Sequence, residues 1–575
     1  MMSFSQCIGI GLFLQNGRTL FLAGPGLATL AYFLAGTVMW SSAACLGEMT
    51  ALFPVKGPIF ELPRRFLDES LGYAAGWITW YAISPNFSGR SAELVAITHI
   101  FQFKYPPEQL IADGYPDAAL EWMPHISPTV IVMIFLCILL LINLLPVRHF
   151  GQLEYAFGVI KLSFIVLMIV LNTILHSWQR VDRGGHFWTY RAPYSAGSQN
   201  ITLPNGHVVE GFAGKLGGMW EAMLTCLFGM IGFETVAITA AENRDLRSEE
   251  TVKLATRKMS LRIITLYTLA TFTVGLNVPY THPLIKDTNV ISFGYGENSA
   301  FVISTVLNHL RVWPYFINGF IIFSASTAGA NGIYNASRTL HALASVQDAW
   351  PDWAPIQAVR RRLERTYYGV PLGAVLFSWA FGMLGFLGSN TNSALILGRM
   401  VRCVVISMLT VYGIIAWSFL EFYKIIKQAA SGDDETIDDK DDPSTRQRYD
   451  RNCPQYPYKS HGQWMRACYA FTACTLFILF NGWRTFISPM KTADFIACYI
   501  PIVLFCFISI CYQIKLNGWN PMQWRRRASR ELQNPPPQIA TSLPRRGHIA
   551  LNDPDNLFTT ANFRSFFQWV WVWMK

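Results

Sequence analysis

The stretch Ile-Gly-Ile-Gly-Leu-Phe at residues 8–13 interrupts an apolar segment that runs from residue 2 to residue 22. Gly9 and Gly11 weaken a helix where lipid would offer the backbone no hydrogen-bond partner. Such a break is stable only where it lines a cavity inside the protein. We therefore expect the backbone between Ile8 and Gly11 to bind a ligand.

A second glycine-rich interruption, Phe-Gly-Met-Ile-Gly-Phe-Glu at residues 228–234, lies within a later apolar segment and ends on the carboxylate of Glu234. Two broken spans in corresponding places of two halves point to the central site of an inverted-repeat transporter. There, the N-termini of half-helices face an anionic group of the substrate. Close packing of small residues is the alternative for each stretch alone. The pair, with Glu234 attached, favours a binding site.

The composition is that of a membrane protein. Of the 575 residues, 52% are hydrophobic and 14% are charged, with a mean hydropathy of +0.27. Because about a quarter of the residues in soluble domains are charged, these values exclude a water-soluble fold. Segments long enough to span a bilayer lie at about 2–22, 27–53, 72–103, 128–145, 152–175, 216–240, 261–280, 313–343, 369–387, 391–422, 466–486 and 494–512. The expected fold is an all-α integral membrane protein with about twelve transmembrane helices.

The positive charge lies in the loops between these segments. The formal net charge is +10, but the basic residues concentrate after the even-numbered segments and after the last one. This is the positive-inside pattern rather than a nucleic-acid surface, and it predicts that both termini are cytoplasmic. It places the polar segment 184–214 outside, where Asn200 begins the glycosylation sequon Asn-Ile-Thr. The lipid bilayer, and no nucleic acid, is the expected partner.

The apolar pattern also predicts the regions of the chain. We expect an amino-terminal transmembrane domain at 1–512, an acidic cytoplasmic loop at 423–464 between the tenth and eleventh spans, and a cytoplasmic tail at 513–575. The opening segment lacks the basic start and the cleavage site of a signal peptide. The 11 Cys residues lack metal-site spacing and a disulfide framework. Because no catalytic triad, metal set or nucleotide loop occurs, we expect neither an enzyme nor a bound cofactor.

Several short motifs occur in the order and at the spacing of a known family. They are Ile-Gly-x-Gly-Leu-Phe at 8–13, Gly-Glu-Met at 47–49, Ala-Glu-Leu at 92–94, Ile-Lys at 160–161, Phe-x-x-x-Gly-x-Glu at 228–234, Ala-Ser-Arg-Thr-Leu at 336–340 and Tyr-Lys-Ser at 458–460. With these motifs the chain resembles the fungal amino acid permeases, the yeast amino acid transporter branch of the amino acid-polyamine-organocation superfamily. The resemblance covers residue 8 to about residue 512.

The resemblance implies a leucine-transporter-like core of two five-span inverted repeats, with broken first and sixth helices and two extra helices. It also implies amino acid substrates, uptake with the proton as coupling ion, and a place in the plasma membrane. It leaves open the oligomeric state and the amino acids carried. Only seven residues precede Ile8, where the family has a cytoplasmic tail and a full half-helix. The sequence therefore predicts either an abbreviated inner gate or a misassigned start codon.

A zwitterion bound in mid-membrane needs donors for its carboxylate and acceptors for its ammonium group. Amide groups of the first break, at the positive end of a half-helix, suit the carboxylate. Carbonyl groups freed in the second break suit the ammonium group, and an aromatic ring there either covers the substrate or packs between helices. The candidate substrate-binding residues are Ile8, Gly9, Ile10, Gly11, Phe228, Gly229, Gly232 and Phe233.

Lys161 is an ionisable residue in mid-span, about nine residues into the fifth apolar segment. A buried lysine can take a proton from one side of the membrane and release it to the other, in place of a coupling sodium ion. The family resemblance supports this role, with the first-span backbone and the hydroxyl groups of Ser326 and Thr327 as expected neighbours. The alternative is a lysine whose amine reaches the cytoplasmic interface.

Three carboxylates are further candidates for coupling or gating. Glu93 either carries a proton or contacts the substrate, or it pairs with Arg90, one helical turn before it. Glu234 is expected to take part in gating or in proton coupling, or to hold the unwound segment in place. Glu48 is expected near the cytoplasmic face, where it either forms a gate salt bridge with Arg338 or a neighbouring basic residue or is solvated.

Two arginines, Arg399 and Arg402, lie inside the tenth segment. We expect them to pair with Glu93 or Glu234, or to face a water-filled vestibule.

Taken together, the motifs, the helix breaks and the family resemblance favour a proton-coupled amino acid permease that works by alternating access. The alternatives are an amino acid sensor with the permease fold that does not transport, and a transporter of choline, polyamines or 4-aminobutyrate.

Overall fold

The structure, a computed structural model, describes residues 2–53, 55, 57–83, 90–114, 119–122, 126–178, 201–203, 206–209, 211–240, 249–285, 298–346, 350–367, 369–383, 393–431, 451, 456, 459–460, 462–487, 490–520 and 524. The expected glycosylation site Asn200, the acidic run at 433–442 and the tail beyond 524 lie outside the described residues. The described residues belong to one compact unit, residues 1–533, and a second unit at 534–575 lies outside them.

Helices make up nearly all of the described chain. They are α1 (Met2–Cys7), α2 (Ile10–Leu52), α3 (Pro58–Phe66), α4 (Glu69–Ile83), α5 (Arg90–Phe101), α6 (Pro107–Ala112), α7 (Pro128–Asn143), α8 (Val147–Trp178), α9 (Gly211–Leu227), α10 (Thr235–Ala240), α11 (Glu249–Asn277), α12 (Ala300–Leu307), α13 (Trp313–Ser345), α14 (Ala354–Glu364), α15 (Leu372–Ala380), α16 (Ser393–Ser431), α17 (Gln463–Phe480) and α18 (Thr492–Asn517). Two strands of two residues each, β1 (Ile201–Thr202) and β2 (Val208–Val209), pair antiparallel. The fold class is therefore all-α.

The first predicted interruption separates α1 from α2. The helix stops at residues 8–9, and Gly9 has an extended conformation, with φ −142° and ψ −157°. Farther along, Gly24 has φ 73° and ψ 166° and is followed by Pro25. Because a proline inside a helix clashes with the preceding turn, this pair divides α2 into two pieces. The pieces correspond to the first two predicted spans.

The second predicted interruption lies between α9 and α10. A 3-10 turn at Phe228–Met230 follows α9, and Ile231 is extended, with φ −69° and ψ 138°. Gly232 then has φ 132°, a conformation that side-chain-bearing residues rarely adopt. The helix resumes at Thr235. Both breaks that the glycine pattern predicts are therefore present.

Six helical stretches of the described chain are long and apolar enough to cross a membrane: Ile10–Leu52, Val147–Trp178, Gly211–Ile238, Leu395–Gln428, Gln463–Phe486 and Thr492–Asn517. Large apolar side chains on outer helices are exposed, such as Leu141 on α7 (65%) and Phe507 on α18 (62%). Such surfaces suit contact with lipid tails, which are as apolar as leucine. The chain is an integral membrane protein, while the count of twelve spans and the inverted repeat stay predictions.

The breaks are enclosed by other helices. α2 packs against α9 and α11, and α13 packs against α1 and α5. Just after the first break, the buried ring of Phe13 meets Phe164 and Phe301 edge-on, with ring centroids 5.8 and 5.5 Å away. These aromatic contacts fix the start of α2 against α8 and α12. The unwound backbone therefore lies in the protein interior.

Candidate functional site at the two helix breaks

The two breaks touch each other through glycine backbone. A Cβ atom added to Gly11 would lie 2.5 Å from Cα and 2.8 Å from the backbone nitrogen of Gly229. Backbone atoms at that distance leave no room for a side chain at residue 11. The second glycine of the first break is therefore required for the close approach of the two unwound segments.

A cavity of about 70 Å³ lies beside this contact. The first break lines it with Gly9, Ile10 and Gly11, and the second break lines it with Phe228 and Gly229. Apolar side chains from α4 and α16 form much of the remaining wall, together with the carboxylate-bearing residue Glu93 on α5. Five of the eight candidate substrate residues therefore line one cavity.

The other three candidate substrate residues lie behind the cavity wall. The carbonyl of Ile8 accepts hydrogen bonds from Lys161 and Ser324. The amide of Gly232 donates to the side chain of Glu234. The ring of Phe233 packs on Tyr412, with centroids 4.6 Å apart. In this structure these residues hold the breaks in place rather than line the cavity.

The start of α2 presents unsatisfied donors to the cavity. The helix begins at Ile10, and Gly9 before it offers no side-chain cap. The first amide groups of a helix have no acceptor within the helix, and they carry its partial positive charge. Because Ile10 and Gly11 line the cavity, a substrate carboxylate placed there would meet both donors and a favourable field.

Lys161 is fully buried and ties three parts of the chain together. Its Nζ donates to the carbonyl oxygens of Ser5 on α1 at 2.5 Å, Ile8 in the first break at 2.8 Å and Ser324 on α13 at 2.9 Å. An ammonium group has three N–H donors and no acceptor, so these three carbonyls use all of its hydrogens. Lys161 does not reach the cytoplasmic interface, which rules out the snorkelling alternative in this structure.

The expected neighbours of Lys161 need a correction. The first-span backbone does contact it, but the hydroxyl groups of Ser326 and Thr327 do not. Ser326 donates to Ile322 O at 2.7 Å, and Thr327 donates to Phe323 O at 3.0 Å. Hydroxyl groups in helices often bond the carbonyl one turn earlier. Thr327 also donates at 3.1 Å to the Ser324 carbonyl, so it shares an acceptor with Lys161 rather than contacting the amine.

Glu93 lies between the first break and α13. Its Oε1 is 3.9 Å from the Cβ position of Gly9, and its Oε2 is 3.2 Å from that of Gly329. It also interacts electrostatically with Lys161. The side chain of Arg90, the alternative partner predicted for Glu93, lies outside the described residues. The structure thus places the Glu93 carboxylate at the cavity, close enough to interact electrostatically with Lys161.

Glu234 holds the second break against α16. The side chain is fully buried, and its Oε2 accepts hydrogen bonds from the Gly232 amide at 3.1 Å and from the Tyr412 hydroxyl at 2.8 Å. A buried carboxylate with a backbone donor and a hydroxyl donor is well suited to fix an unwound segment. Of the roles predicted for Glu234, the geometry supports the holding role.

A polar cluster that the sequence analysis missed links α1, α10 and α13. The Oε1 of Gln6 accepts hydrogen bonds from the Thr235 hydroxyl and from Asn335 Nδ2, and Asn335 also donates to Thr235 at 2.8 Å. Gln6 lines the cavity, and its bonds to the other two residues join α1 to α10 and α13. The sequence contains one signal for this cluster: each of the three is a polar residue within an apolar segment, close to a break or on a helix that faces one.

Of the alternatives predicted for Glu48, the structure shows a salt bridge, and its partner is Arg451 rather than Arg338. Its carboxylate accepts hydrogen bonds from Arg451, from the Tyr456 hydroxyl at 3.0 Å and from the backbone amide of Ser460 at 2.9 Å. Arg338 instead lies over the ring of Tyr334, 4.0 Å from its centroid. The Gly-Glu-Met and Tyr-Lys-Ser motifs are therefore in contact, since Glu48 fixes the end of the loop before α17.

The two arginines of α16 pair neither with Glu93 nor with Glu234. Arg399 Nε lies 2.7 Å from Asp494 on α18. Arg402 Nη2 lies 3.3 Å from Glu221 on α9, and its Nη1 donates to Asn481 at 3.0 Å. Both charges are paired with carboxylates of other helices, Arg402 in the protein interior and Arg399 at a partly exposed position.

A buried polar cluster around Asp113 joins the segments before α7 and after α11, on the predicted outer side. Asp113 accepts hydrogen bonds from Tyr105 at 2.6 Å and Gln109 at 3.0 Å, and His282 Nε2 lies 3.4 Å from it. The Nδ1 of His282 accepts from the Leu284 amide, which assigns the ring proton to Nε2. Burial raises the pKa of Asp113, but its close contact with His282 and the hydrogen bonds from Tyr105 and Gln109 outweigh burial and hold this pKa below its ordinary value.

This depressed pKa predicts a pH dependence. Since the folded pKa lies below the unfolded value of about 3.9, the cluster stabilises the fold above about pH 4 and ceases to do so as the pH falls through the folded value. We expect the thermal midpoint of the purified protein to fall in that acidic range, and to fall less in Asp113→Asn. Thermal unfolding between pH 3 and pH 6 tests this, with the exposed Asp352→Asn as control. An equal acid response in wild type and Asp113→Asn would contradict it.

Comparison with known proteins decides the family. The model of the amino acid permease family matches residues 1–433. The chain belongs to the amino acid permease family. This permease is 26% identical over 529 residues to an uncharacterized amino-acid permease of Schizosaccharomyces pombe, covering 90% of this chain and 87% of the relative.

Other relatives of the permease carry substrate names. It is 26% identical to a lysine/arginine permease of Candida albicans, covering 90% of this chain and 79% of the relative. It is also 26% identical to the proline-specific permease of Emericella nidulans, covering 92% and 85%. The family resemblance predicted from the motifs is thereby confirmed, and these relatives are transporters rather than enzymes.

Proposed function

We propose that this permease carries amino acids across the plasma membrane together with protons, by alternating access around the two helix breaks. The observation that supports this most is the position of Lys161. One buried amine holds α1, the first break and α13 together through three carbonyl groups. A change in its protonation therefore changes contacts beside the substrate cavity.

The cavity supports an amino acid as substrate. Amide donors of Ile10 and Gly11 suit a carboxylate, and Glu93 offers an acceptor for an ammonium group on the same cavity. The apolar residues Val404 and Met408 lie on the same cavity, where they would meet the side chain of a bound amino acid. The amino acids of the relatives, lysine, arginine and proline, define the first panel to test.

The number of hydrogen-bond donors at Lys161 supports the proposed proton coupling. The ammonium form supplies three hydrogens to three carbonyl oxygens, whereas the neutral amine has only two hydrogens. The neutral amine therefore cannot donate to all three carbonyls of Ser5, Ile8 and Ser324. Because Ile8 O and Ser324 O also accept from the hydroxyl groups of Ser324 and Thr327, the Ser5 carbonyl on α1 depends most on the proton. An unsatisfied buried acceptor costs about 1–3 kcal/mol. Deprotonation thus loosens α1, and reprotonation fixes it again.

Alternating access requires that the half-helices separate on one side at a time. Gln6, Thr235 and Asn335 now join α1, α10 and α13. Under the predicted orientation this cluster closes the cytoplasmic side of the cavity. Release of α1 from Lys161 removes one attachment of this half-helix, and the polar cluster is another.

Uptake of labelled lysine, arginine, proline and neutral amino acids into proteoliposomes, with and without an inward proton gradient, tests the proposal. We expect gradient-driven accumulation of one amino acid class. Lys161→Ala should abolish accumulation, because the proton no longer alters the contacts of α1. Lys424→Ala, on an exposed lysine of α16, is the matched control and should transport normally.

Two outcomes would overturn the proposal. Undiminished gradient-driven accumulation in Lys161→Ala would remove the lysine from the coupling. Saturable amino acid binding by the wild type without any uptake would instead favour a sensor with the permease fold. Accumulation of choline, polyamines or 4-aminobutyrate, and of no amino acid, would reassign the substrate.

A further inference from the structure

Glu154 is a buried carboxylate that the proposed mechanism has not yet used. It lies on α8, seven residues before Lys161, and is 0% exposed. Seven residues make about two helical turns, or roughly 10 Å, so both residues lie on the same face of the helix. Glu154 is closer to the start of α8, which the charge pattern predicts to be its cytoplasmic end.

The hydrogen bonds around Glu154 are incomplete. Asn331 on α13 donates to its Oε2, but in the described part of the chain its Oε1 has no donor. The side-chain oxygen of Asn331 is also buried without a hydrogen-bond partner there. A carboxylate only accepts hydrogen bonds, whereas a protonated carboxyl group also donates one. With the Asn331 amide turned over, a proton on Glu154 would be donated to that oxygen, so the site is built to hold an added hydrogen.

Glu154 and Lys161 also meet at the same residue of α1. The carbonyl of Ser5 accepts from Lys161, while the side chain of Ser5 interacts with Glu154. Two cationic groups interact with Glu154, namely Lys161 and, more weakly, the terminal amino group; Lys161 itself interacts with Glu93 and Cys7. From α13, Asn331 is the polar side chain that faces Glu154. The three ionisable groups are thus ordered from Glu93 at the cavity, through Lys161, to Glu154.

We propose that Glu154 receives the proton that Lys161 releases and passes it towards the cytoplasm. In the first step an N–H bond of the Lys161 ammonium breaks and an O–H bond forms on Glu154, which leaves a neutral amine and a neutral carboxyl group. In the second step the carboxyl O–H bond breaks, and water on the cytoplasmic side takes the proton. This inference rests on the proposed function and adds the exit route of its coupling proton.

The test separates proton movement from substrate movement. Net uptake with internal acidification requires the proton to leave Lys161, whereas exchange of labelled for unlabelled amino acid with equal pH on both sides does not. We expect Glu154→Gln to slow net uptake and acidification at least about tenfold, since proton-transfer groups contribute large rate factors. Exchange should stay within about twofold of wild type, and Glu154→Asp should recover part of the net uptake.

The matched control is Glu364→Gln, which changes a half-exposed carboxylate of α14 that pairs with Arg360. It should leave both activities unchanged. Wild-type net uptake in folded Glu154→Gln would overturn the inference. Equal loss of exchange and net uptake would also overturn it, because that result means a structural role. If wild-type uptake itself ignores the proton gradient, the proposed function fails, and this outcome is visible without any Glu154 variant.

Discussion

Gly11→Ala is expected to abolish transport. The added methyl group would lie 2.5 Å from Cα of Gly229, a distance that real Cβ atoms do not reach. Overpacking costs about 1–3 kcal/mol when side chains can move aside, but here the obstacle is backbone on both sides. We expect the two breaks to separate, which displaces the amide donors of α2 from the cavity. Uptake into proteoliposomes should fall by roughly a hundredfold, as for other misplaced binding groups.

The control for this substitution is Gly151→Ala on α8, where an added Cβ would meet no atom within 4 Å. It should fold and transport like wild type, and alanine should even favour its helix. Substrate binding to purified Gly11→Ala shows which step is lost. Absent binding means that the binding site is disrupted, whereas normal binding without uptake means that the opening movement is disrupted. Normal binding and uptake in Gly11→Ala would show that the close contact of the breaks is unnecessary.

Glu221→Ala is expected to cause the largest loss of stability. It leaves the guanidinium of Arg402, which is only 8% exposed, without its carboxylate partner 3.3 Å away. Breaking one side of a buried ion pair costs about 3–5 kcal/mol, because the remaining charge stays buried. We expect a much lower unfolding midpoint in detergent and a smaller yield of folded protein.

The double variant Glu221→Leu with Arg402→Leu is the decisive companion, since replacing both charges by apolar side chains is often neutral or stabilising. It should recover most of the stability that Glu221→Ala loses. Glu61→Ala is the control, because Glu61 pairs with Arg64 and Arg65 in a partly exposed helix where such pairs contribute about 0–1 kcal/mol. A double variant as unstable as Glu221→Ala would mean that the pair is not the source of the effect.

The breaks themselves could be predicted from the sequence, because their cause is local. Paired glycines weaken a helix wherever they occur, and only a protein interior tolerates the freed backbone groups. The depth of Lys161 followed equally from its position in an apolar run. The membrane class, too, required no more than composition, since the apolar fraction and the segment lengths leave no soluble alternative.

Partners far apart in sequence could not be predicted. Glu48 meets Arg451 across 403 positions of the chain, and Arg402 meets Glu221 across 181. Which helix faces which is decided by packing, and the charge pattern of each segment does not contain that information. Arg338 lay near Glu48 in the predicted topology, yet its guanidinium stacks on the ring of Tyr334 in the same helix.

Glu154 illustrates a different limit. Its position seven residues before Lys161 was visible in the sequence, but a carboxylate near the start of a span is ordinarily solvated at the interface. Only the structure shows that it is fully buried beside Asn331. The same holds for Gln6, whose role depends on contacts with two other helices.

The most direct test of the account is to let the amino acid drive the proton. Proteoliposomes with equal pH on both sides and a pH-sensitive dye inside receive a transported amino acid from outside. The account predicts that the lumen acidifies in proportion to the amino acid taken up, and that Lys161→Ala shows no acidification. Uptake by the wild type without any change in luminal pH would contradict it.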